Sequence, residues 1–201
     1  MRDIVLKGDG FTVSRVVVGP LDNNVYLIED TESGDALLID AADDPEAIMR
    51  FVGDTNVVGV FTTHGHSDHH EAVPEVPQAL DAPFILHPLD ATIAGKPIDA
   101  AITTGPLPIG DTVATVAHTP GHTPGSVCLS LPGVVFTGDT LFPGGPGATR
   151  FGHSSFTTII ESLETELFSL PDETIVFPGH GASTTIGTER PQLTSWIERG
   201  W

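Results

Sequence analysis

The first forty residues alternate or cluster apolar and polar positions in short runs. FTVSRVVV (11–18), NVYLIED (24–30) and ALLID (36–40) are β-branched or alternating and separated by Gly, Asp and Asn, a pattern that predicts antiparallel strands joined as a meander. DDPEAIMRFVG (43–53) then places acidic residues and a proline in a first turn, Ile48, Met49 and Val52 on one face, and a glycine stop, which predicts a helix. VVGVF (57–61) reads as a strand apolar on both faces, so both sides of its sheet must be covered.

EAVPEVPQAL (71–80) predicts a short helix broken by prolines, and APFILH (82–87) another strand. The pattern is weakest across residues 90–110, where it predicts a brief helix and then loop. TVATVAH, SVCLSL and VVFTG are three further strands, each ended by a turn or a polar cluster. SSFTTIIESLETELFSLP (154–171) carries Phe156, Ile159, Ile160, Leu163 and Leu167 at helical spacing between a serine cap and a proline stop. TIVFPGH returns to a sheet, and ERPQLTSWIERGW closes with a helix. Two groups of strands, each with helices to cover it, predict an α/β fold of two sheets packed face to face with helices outside.

Composition narrows the function. At 201 residues and 39% hydrophobic content, the chain fills one core, predicting a single domain over residues 1–201. Eight Lys and Arg stand against 27 Asp and Glu, a formal charge of −19 that repels phosphate backbones and anionic membrane surfaces. Neither nucleic acid nor membrane is an expected partner. No apolar run approaches the roughly 20 residues that cross a bilayer, and MRDIVLKGDG lacks a secretory core, so a cytoplasmic protein is expected. The single cysteine, Cys128, sits inside the strand SVCLSL and reads as a buried thiol without chemistry.

Candidate chemistry gathers at strand ends. TTHGHSDHH (62–70) follows VVGVF and offers His64, His66, Asp68 and His69; His122 lies in HTPGHTPGS, Asp139 in FTGDTLF and His180 in FPGHG. Imidazole with carboxylate suits zinc, iron or manganese, whereas calcium prefers oxygen alone and structural zinc recruits cysteine. Seven donors exceed one tetrahedral ion and suit two ions sharing a carboxylate, roughly 3.5–4 Å apart. An isolated His-x-His would read as solvated loop; the spread over four strand ends argues for a site. His70 reads as solvent-facing, His87 as a strand-end residue, and His118 as a turn-stabilising or supporting residue. Arg150 and His153 follow the glycine-rich GGPGA segment and are candidate substrate contacts, Arg150 for a carboxylate.

THGHSDH, TPGHTPGS, FTGDTLF and PGHG, in that order from about Val25 to Pro191, resemble the metallo-β-lactamase superfamily. Within it, GDTLFPGGPGATRF and FPGHGASTTIGTERP are similar to the glyoxalase II-like hydroxyacylglutathione hydrolases. The resemblance implies a four-layer αβ/βα sandwich. It implies that His64, His66 and His122 hold a first metal, Asp68, His69 and His180 a second, and that Asp139 bridges both. Zinc is the ion it implies most often, with iron or manganese tolerated. The glyoxalase II enzymes carry a C-terminal helical extension with basic residues that grip glutathione; here 201 − 180 leaves 21 residues after His180, with Arg190 and Arg199 as their cations.

The activity implied is hydrolysis of a small-molecule thioester, a hydroxyacyl-thiol such as S-lactoylglutathione, by a hydroxide held between two ions, with Asp68 orienting it and taking its proton. Alternatives on the same scaffold are a persulfide dioxygenase, with one iron on His64, His122 and Asp139, and a lactonase.

Overall fold

The computed structural model describes residues 2–200. Its first sheet has seven strands in sequential order: β1 (Asp3–Lys7), β2 (Phe11–Val18), β3 (Asn23–Asp30), β4 (Asp35–Ile39), β5 (Asn56–Phe61), β6 (Phe84–Leu86) and β7 (Ala100–Ala101). The β1–β4 pairs are antiparallel, the expected meander, and β4 through β7 pair in parallel. The second sheet runs β15 (Thr184–Thr185), β14 (Ile175–Pro178), β11 (Val134–Gly138), β10 (Val127–Leu131), β9 (Thr112–His118) and β8 (Gly105–Ile109). A two-stranded ribbon, β12 (Leu141–Phe142) with β13 (Gly145–Pro146), lies beyond the end of β11.

β8 replaces part of the loop expected over 90–110. Its prolines, Pro106 and Pro108, hide the strand signal because proline cannot donate to a ladder, and β8 tolerates them as the edge strand of its sheet. The chain's opening residues likewise form β1, which pairs along the outer edge of β2.

The sheets meet in a layer that includes Phe11, Tyr26, Ile28, Phe61, Phe136 and Phe177. Tyr26 packs edge-on to Phe136 at 5.2 Å and stacks on Phe177 at 5.3 Å, and its hydroxyl donates to Pro178 O at 2.8 Å, so this buried phenol spends no unpaired polar atom. Each such fully buried side chain contributes about 1.5–3 kcal/mol relative to exposure.

Outside the first sheet lie α1 (Pro45–Val52) and α2 (Glu75–Leu80), covering Leu27, Leu38 and Val60 with Ile48, Val52 and Val76. Asp44 caps α1 by accepting from Ala47 N, and Gly53 ends it as expected; Phe51 is buried along with Ile48 and Val52, while Met49 packs at the margin. α3 (Ala91–Ala94) is the brief helix expected after Pro88. Outside the second sheet, α4 (Phe156–Ser162) starts on the Ser155 cap and continues as a wider π turn through Leu167. With α5 (Ile186–Glu189) and α6 (Leu193–Arg199) it buries Ile160, Leu163, Leu167, Ile186 and Trp196 against Cys128, Val135 and Val176. The layers are helix, sheet, sheet, helix: the four-layer αβ/βα sandwich. No helix among the described residues is long and apolar enough to cross a membrane.

Candidate metal centre

The central strands deliver the candidate residues to one edge of the sandwich. β5 ends two residues before the THGHSDH segment, which leaves it as a loop and turns once as a 3₁₀ helix over Ser67–His69. His122 lies four residues beyond β9, Asp139 follows β11 directly, and His180 lies two residues beyond β14. β3 and β14 are stitched together across the two sheets at this edge: Asn24 N donates to Gly179 O at 2.8 Å, and the Asn24 side-chain amide donates to Pro178 O and Gly181 O, both at 3.0 Å. His180 is thereby carried on backbone pinned to the opposite sheet.

All seven candidate ligands meet there. His64, His66 and His122 bring one ligand atom each within 4.8 Å of one another, and so do Asp68, His69 and His180, and His64, His69 and Asp139. Asp139 stands between the first two groups. Its Oδ2 is 3.6 Å from His122 Nε2, while Oδ1 is 3.3 Å from His69 Nε2 and 3.7 Å from His180 Nε2.

The imidazoles are oriented from behind. His64 Nδ1 donates to Thr63 Oγ1 at 3.2 Å, His69 Nδ1 to Asp40 Oδ2 at 2.8 Å, His122 Nδ1 to Ala148 O at 2.8 Å and His180 Nδ1 to Leu21 O at 3.0 Å. His66 is turned the other way: its Nε2 lies 3.0 Å from His153 Nε2, and its Nδ1 faces inward. With each outer nitrogen the donor, an imidazole in its neutral form presents a lone pair on its inner nitrogen. Those inner atoms lie close together: His64 Nε2 to His66 Nδ1 at 3.1 Å, His66 Nδ1 to His122 Nε2 at 2.9 Å, and His69 Nε2 to His180 Nε2 at 3.2 Å. Lone pairs aimed at one another repel, and a cation between them turns the arrangement favourable. Asp139 Oδ1 is buried without a hydrogen-bond donor, which fits the same need. The donor set therefore suits divalent metal.

Electrostatics separates the groups. Burial, then the neighbouring imidazoles, hold His64 well below its ordinary pKa; burial pushes His66 down to about 4 and also lowers His122. These three are neutral, the form that ligates. Burial also opposes charge on His69, but the carboxylates of Asp139 and Asp40 outweigh it and raise its pKa well above the usual value. Burial likewise opposes charge on His180, which Asp68 and Asp139 outweigh. In return, His69 holds Asp139 below the carboxylate range despite burial, and His180 does the same for Asp68. The second group thus pairs acid with base where the first gathers imidazoles alone.

Two glycines let the chain close around Asp139. A Cβ on Gly147 would sit 1.8 Å from Asp139 O, and one on Gly179 2.6 Å from Asp139 Oδ1 and 2.5 Å from His69 Cε1. GGPGA therefore lets the backbone close on the main chain of Asp139.

The other sequence candidates fall into place differently. Arg150 lies over the Phe151 ring at 5.5 Å, and Phe151 packs against His66 and His153 at the mouth of the cluster. His118 donates from Nε2 to Pro124 O at 2.8 Å and stacks on His87 at 4.5 Å, supporting the turn that carries His122. His70 does not face solvent. It is 1% exposed and donates from Nε2 to Gly65 O at 3.1 Å, because the loop folds back on itself and buries the ring beside Phe84.

Sequence reasoning passed over Asn23, Asp40, Thr63, Asp90 and Phe151. Asp40 ends the run ALLID at the same edge as His64, and that position was its available signal. Asp40 holds φ 59°, a left-handed conformation uncommon outside glycine, steadied by its N–H bond to Phe61 O at 2.9 Å. A cavity of about 360 Å³ adjoins Asp68, lined by Pro20, Leu21, Asn23, Asp43 and Glu71 among others. A larger one of about 630 Å³ lies under α2 and includes none of the cluster.

Comparison with known proteins agrees with this geometry. The family described as the metallo-beta-lactamase superfamily matches residues 18–180. The hydroxyacylglutathione hydrolase GloC of Haemophilus influenzae is 32% identical over 198 residues, covering 87% of this chain and 93% of its own. Among solved structures, TTHA1623 in a di-iron-bound form is 36% identical with a TM-score of 0.79, covering 88% of this chain and 96% of its own. ETHE1 from Myxococcus xanthus is 30% identical with a TM-score of 0.82, covering 91% and 84%. With the fold, the edge cluster and the family match in agreement, the chain belongs to the metallo-beta-lactamase superfamily.

Proposed function

We propose that the protein is a dinuclear metallohydrolase that cleaves a thioester, of the hydroxyacyl-thiol class. The observation that carries this reading is Asp139, whose two oxygens address two separate groups of donors, Oδ2 toward His122 and Oδ1 toward His69 and His180. His64, His66 and His122 would hold one ion, Asp68, His69 and His180 the other, and Asp139 both. The likeness to GloC supports the substrate class, and that to the di-iron form of TTHA1623 supports two ions.

Two divalent ions, zinc foremost with iron or manganese as alternatives, would supply a water ionised near neutral pH and a Lewis acid for the carbonyl. Asp68 would orient the attacking water and take its proton. Asn23 Nδ2 donates to Asp68 O at 3.0 Å and to Asp68 Oδ2 at 3.2 Å, which fixes the carboxylate as acceptor. Water adds to the carbonyl carbon, the C–S bond breaks, and the thiolate leaves with the bonding pair; Asp68 returns the proton to the products. No serine or cysteine nucleophile takes part. Arg150, exposed at the mouth, pairs with a substrate carboxylate, and Phe151 and His153 form the wall beside it. The protein acts in the cytoplasm on a small molecule, without nucleic acid or membrane as partner.

Comparing turnover of S-D-lactoylglutathione with that of other thioesters, lactones and glutathione persulfide, on protein of known metal content, tests the reading. Thiol release from a thioester without oxygen uptake is expected. A second reading is a persulfide dioxygenase with one iron on His64, His122 and Asp139, a set in which Asp139 Oδ2 lies 3.6 Å from His122 Nε2. Oxygen uptake with the persulfide at one iron per chain would establish it instead.

A further inference from the structure

Asp90 lies outside the seven-residue cluster and is 0% exposed, at the end of the 3₁₀ turn Pro88–Asp90 that leads into α3. Its carboxylate reaches two loops at once. Oδ2 accepts from Gly65 N at 2.7 Å and from Thr123 Oγ1 at 2.6 Å, and Oδ1 accepts from Gly125 N at 2.6 Å. Gly65 separates His64 from His66, and Thr123 follows His122. One buried side chain therefore spans the two segments that supply all three imidazoles of the first group.

The surroundings are built to admit it. A Cβ on Gly65 would come 2.9 Å from Asp90 Cβ and Asp90 O, and one on Gly125 would come 2.7 Å from Asp90 Cγ and Oδ1. Both loops carry glycine where they approach Asp90. The far side of the Gly65 peptide is held as well, since Gly65 O accepts from His70 Nε2 at 3.1 Å. Thr123 is locked to the same turn by Ser126, whose Oγ is 2.7 Å from Thr123 Oγ1 and accepts from Thr123 N at 3.1 Å. By contrast, Asp90 makes no hydrogen bond to Asp68, His69 or His180.

We propose that Asp90 is a positioning residue for the first metal subsite: by accepting from both loops it sets the separation of the His64–His66 pair from His122. The inference rests on the dinuclear reading and adds a residue to it that touches neither ion nor substrate. A carboxylate is needed because all three partners are donors. Asparagine has the same shape, but its NH₂ group would face Gly125 N–H or the Gly65 N–H and Thr123 hydroxyl, setting donor against donor. Partners that orient metal ligands are worth about 10- to 100-fold in metal affinity.

The test titrates zinc into metal-free protein against a chromophoric chelator, for the wild type, Asp90→Asn, Thr123→Val and Thr123→Ser. Thermal unfolding of each metal-free form is recorded alongside. The same titration in the His180→Ala background reads the first subsite by itself. Asp90→Asn is expected to weaken that subsite about 10- to 100-fold, and Thr123→Val less, while the second subsite is unchanged and Thr123→Ser, which keeps the hydroxyl, restores wild-type affinity. Should Asp90→Asn fail to fold, the two threonine variants decide the matter. A lowered unfolding temperature with both affinities intact, or equal weakening of both subsites, would overturn the proposal and leave the dinuclear reading standing. Wild-type protein that binds no ion would overturn both.

Discussion

Asp40 Oδ2 and His69 Nδ1 lie 2.8 Å apart, each on a side chain 1% exposed. The same carboxylate accepts from Thr63 N at 2.8 Å and Thr63 Oγ1 at 3.0 Å, and Thr63 in turn accepts from His64 Nδ1. One residue at the end of β4 thus orients an imidazole in each of the two donor groups. Asp40→Ala is expected to lower metal affinity about 10- to 100-fold. It should also cost about 1–3 kcal/mol of stability, because the buried Thr63 N–H loses its acceptor. Metal analysis together with urea unfolding of the variant checks both.

Gly179→Ala should damage the centre by crowding alone. The new methyl would meet His69 Cε1 at 2.5 Å and Asp139 Oδ1 at 2.6 Å, so one or both must move. Displacing catalytic groups by about 1 Å is worth about 100-fold in rate. Reduced metal stoichiometry and turnover in a variant that still gives a native circular dichroism spectrum would match; wild-type values for both would not.

Cys128 packs in the core between the second sheet and its helices, outside the centre. Burial pushes its thiol up to about 11, Thr119 Oγ1 sits 3.2 Å from Sγ, and the residue is 1% exposed. Thiol reagents should modify it only on unfolding, and Cys128→Ala should keep turnover at a stability cost of about 1 kcal/mol. Rapid labelling of the folded protein would show that the strand opens.

Asp30 staples the two sheets together and makes stability depend on pH. Its carboxylate accepts from Ser33 N at 2.7 Å, Thr112 Oγ1 at 2.6 Å and Thr112 N at 2.9 Å, and these donors, those of Ser33 foremost, hold its pKa well below the ordinary carboxylate range. A depressed folded pKa means the unfolded chain takes up the proton first as pH falls. The stabilisation is therefore fully present above about pH 4 and is lost as pH drops toward the lower folded value. Urea midpoints of wild type and Asp30→Asn should differ most at neutral pH and converge below pH 4; a gap that widens on acidification would reverse the sign.

Much of this was readable from the chain because periodicity and strand-end chemistry are local signals. The meander, both major helices and the seven candidate ligands each announce themselves within a few residues. What stayed hidden depends on long-range partners. β8 reads as loop until its edge position excuses Pro106 and Pro108. His70 looks solvated until Phe84 and the Gly65 carbonyl close on it, and Asp90 carries no signal until the fold brings Gly65 and Gly125 to its carboxylate. Ligands are named by their chemistry, whereas the residues that aim them are named by their neighbours in space.

Anomalous diffraction from crystals of the metal-loaded protein tests the central claim most directly. Two peaks are predicted, one among His64, His66 and His122, the other among Asp68, His69 and His180, with Asp139 reaching both. A single peak on His64, His122 and Asp139, or ions bound away from this edge of the sandwich, would contradict it.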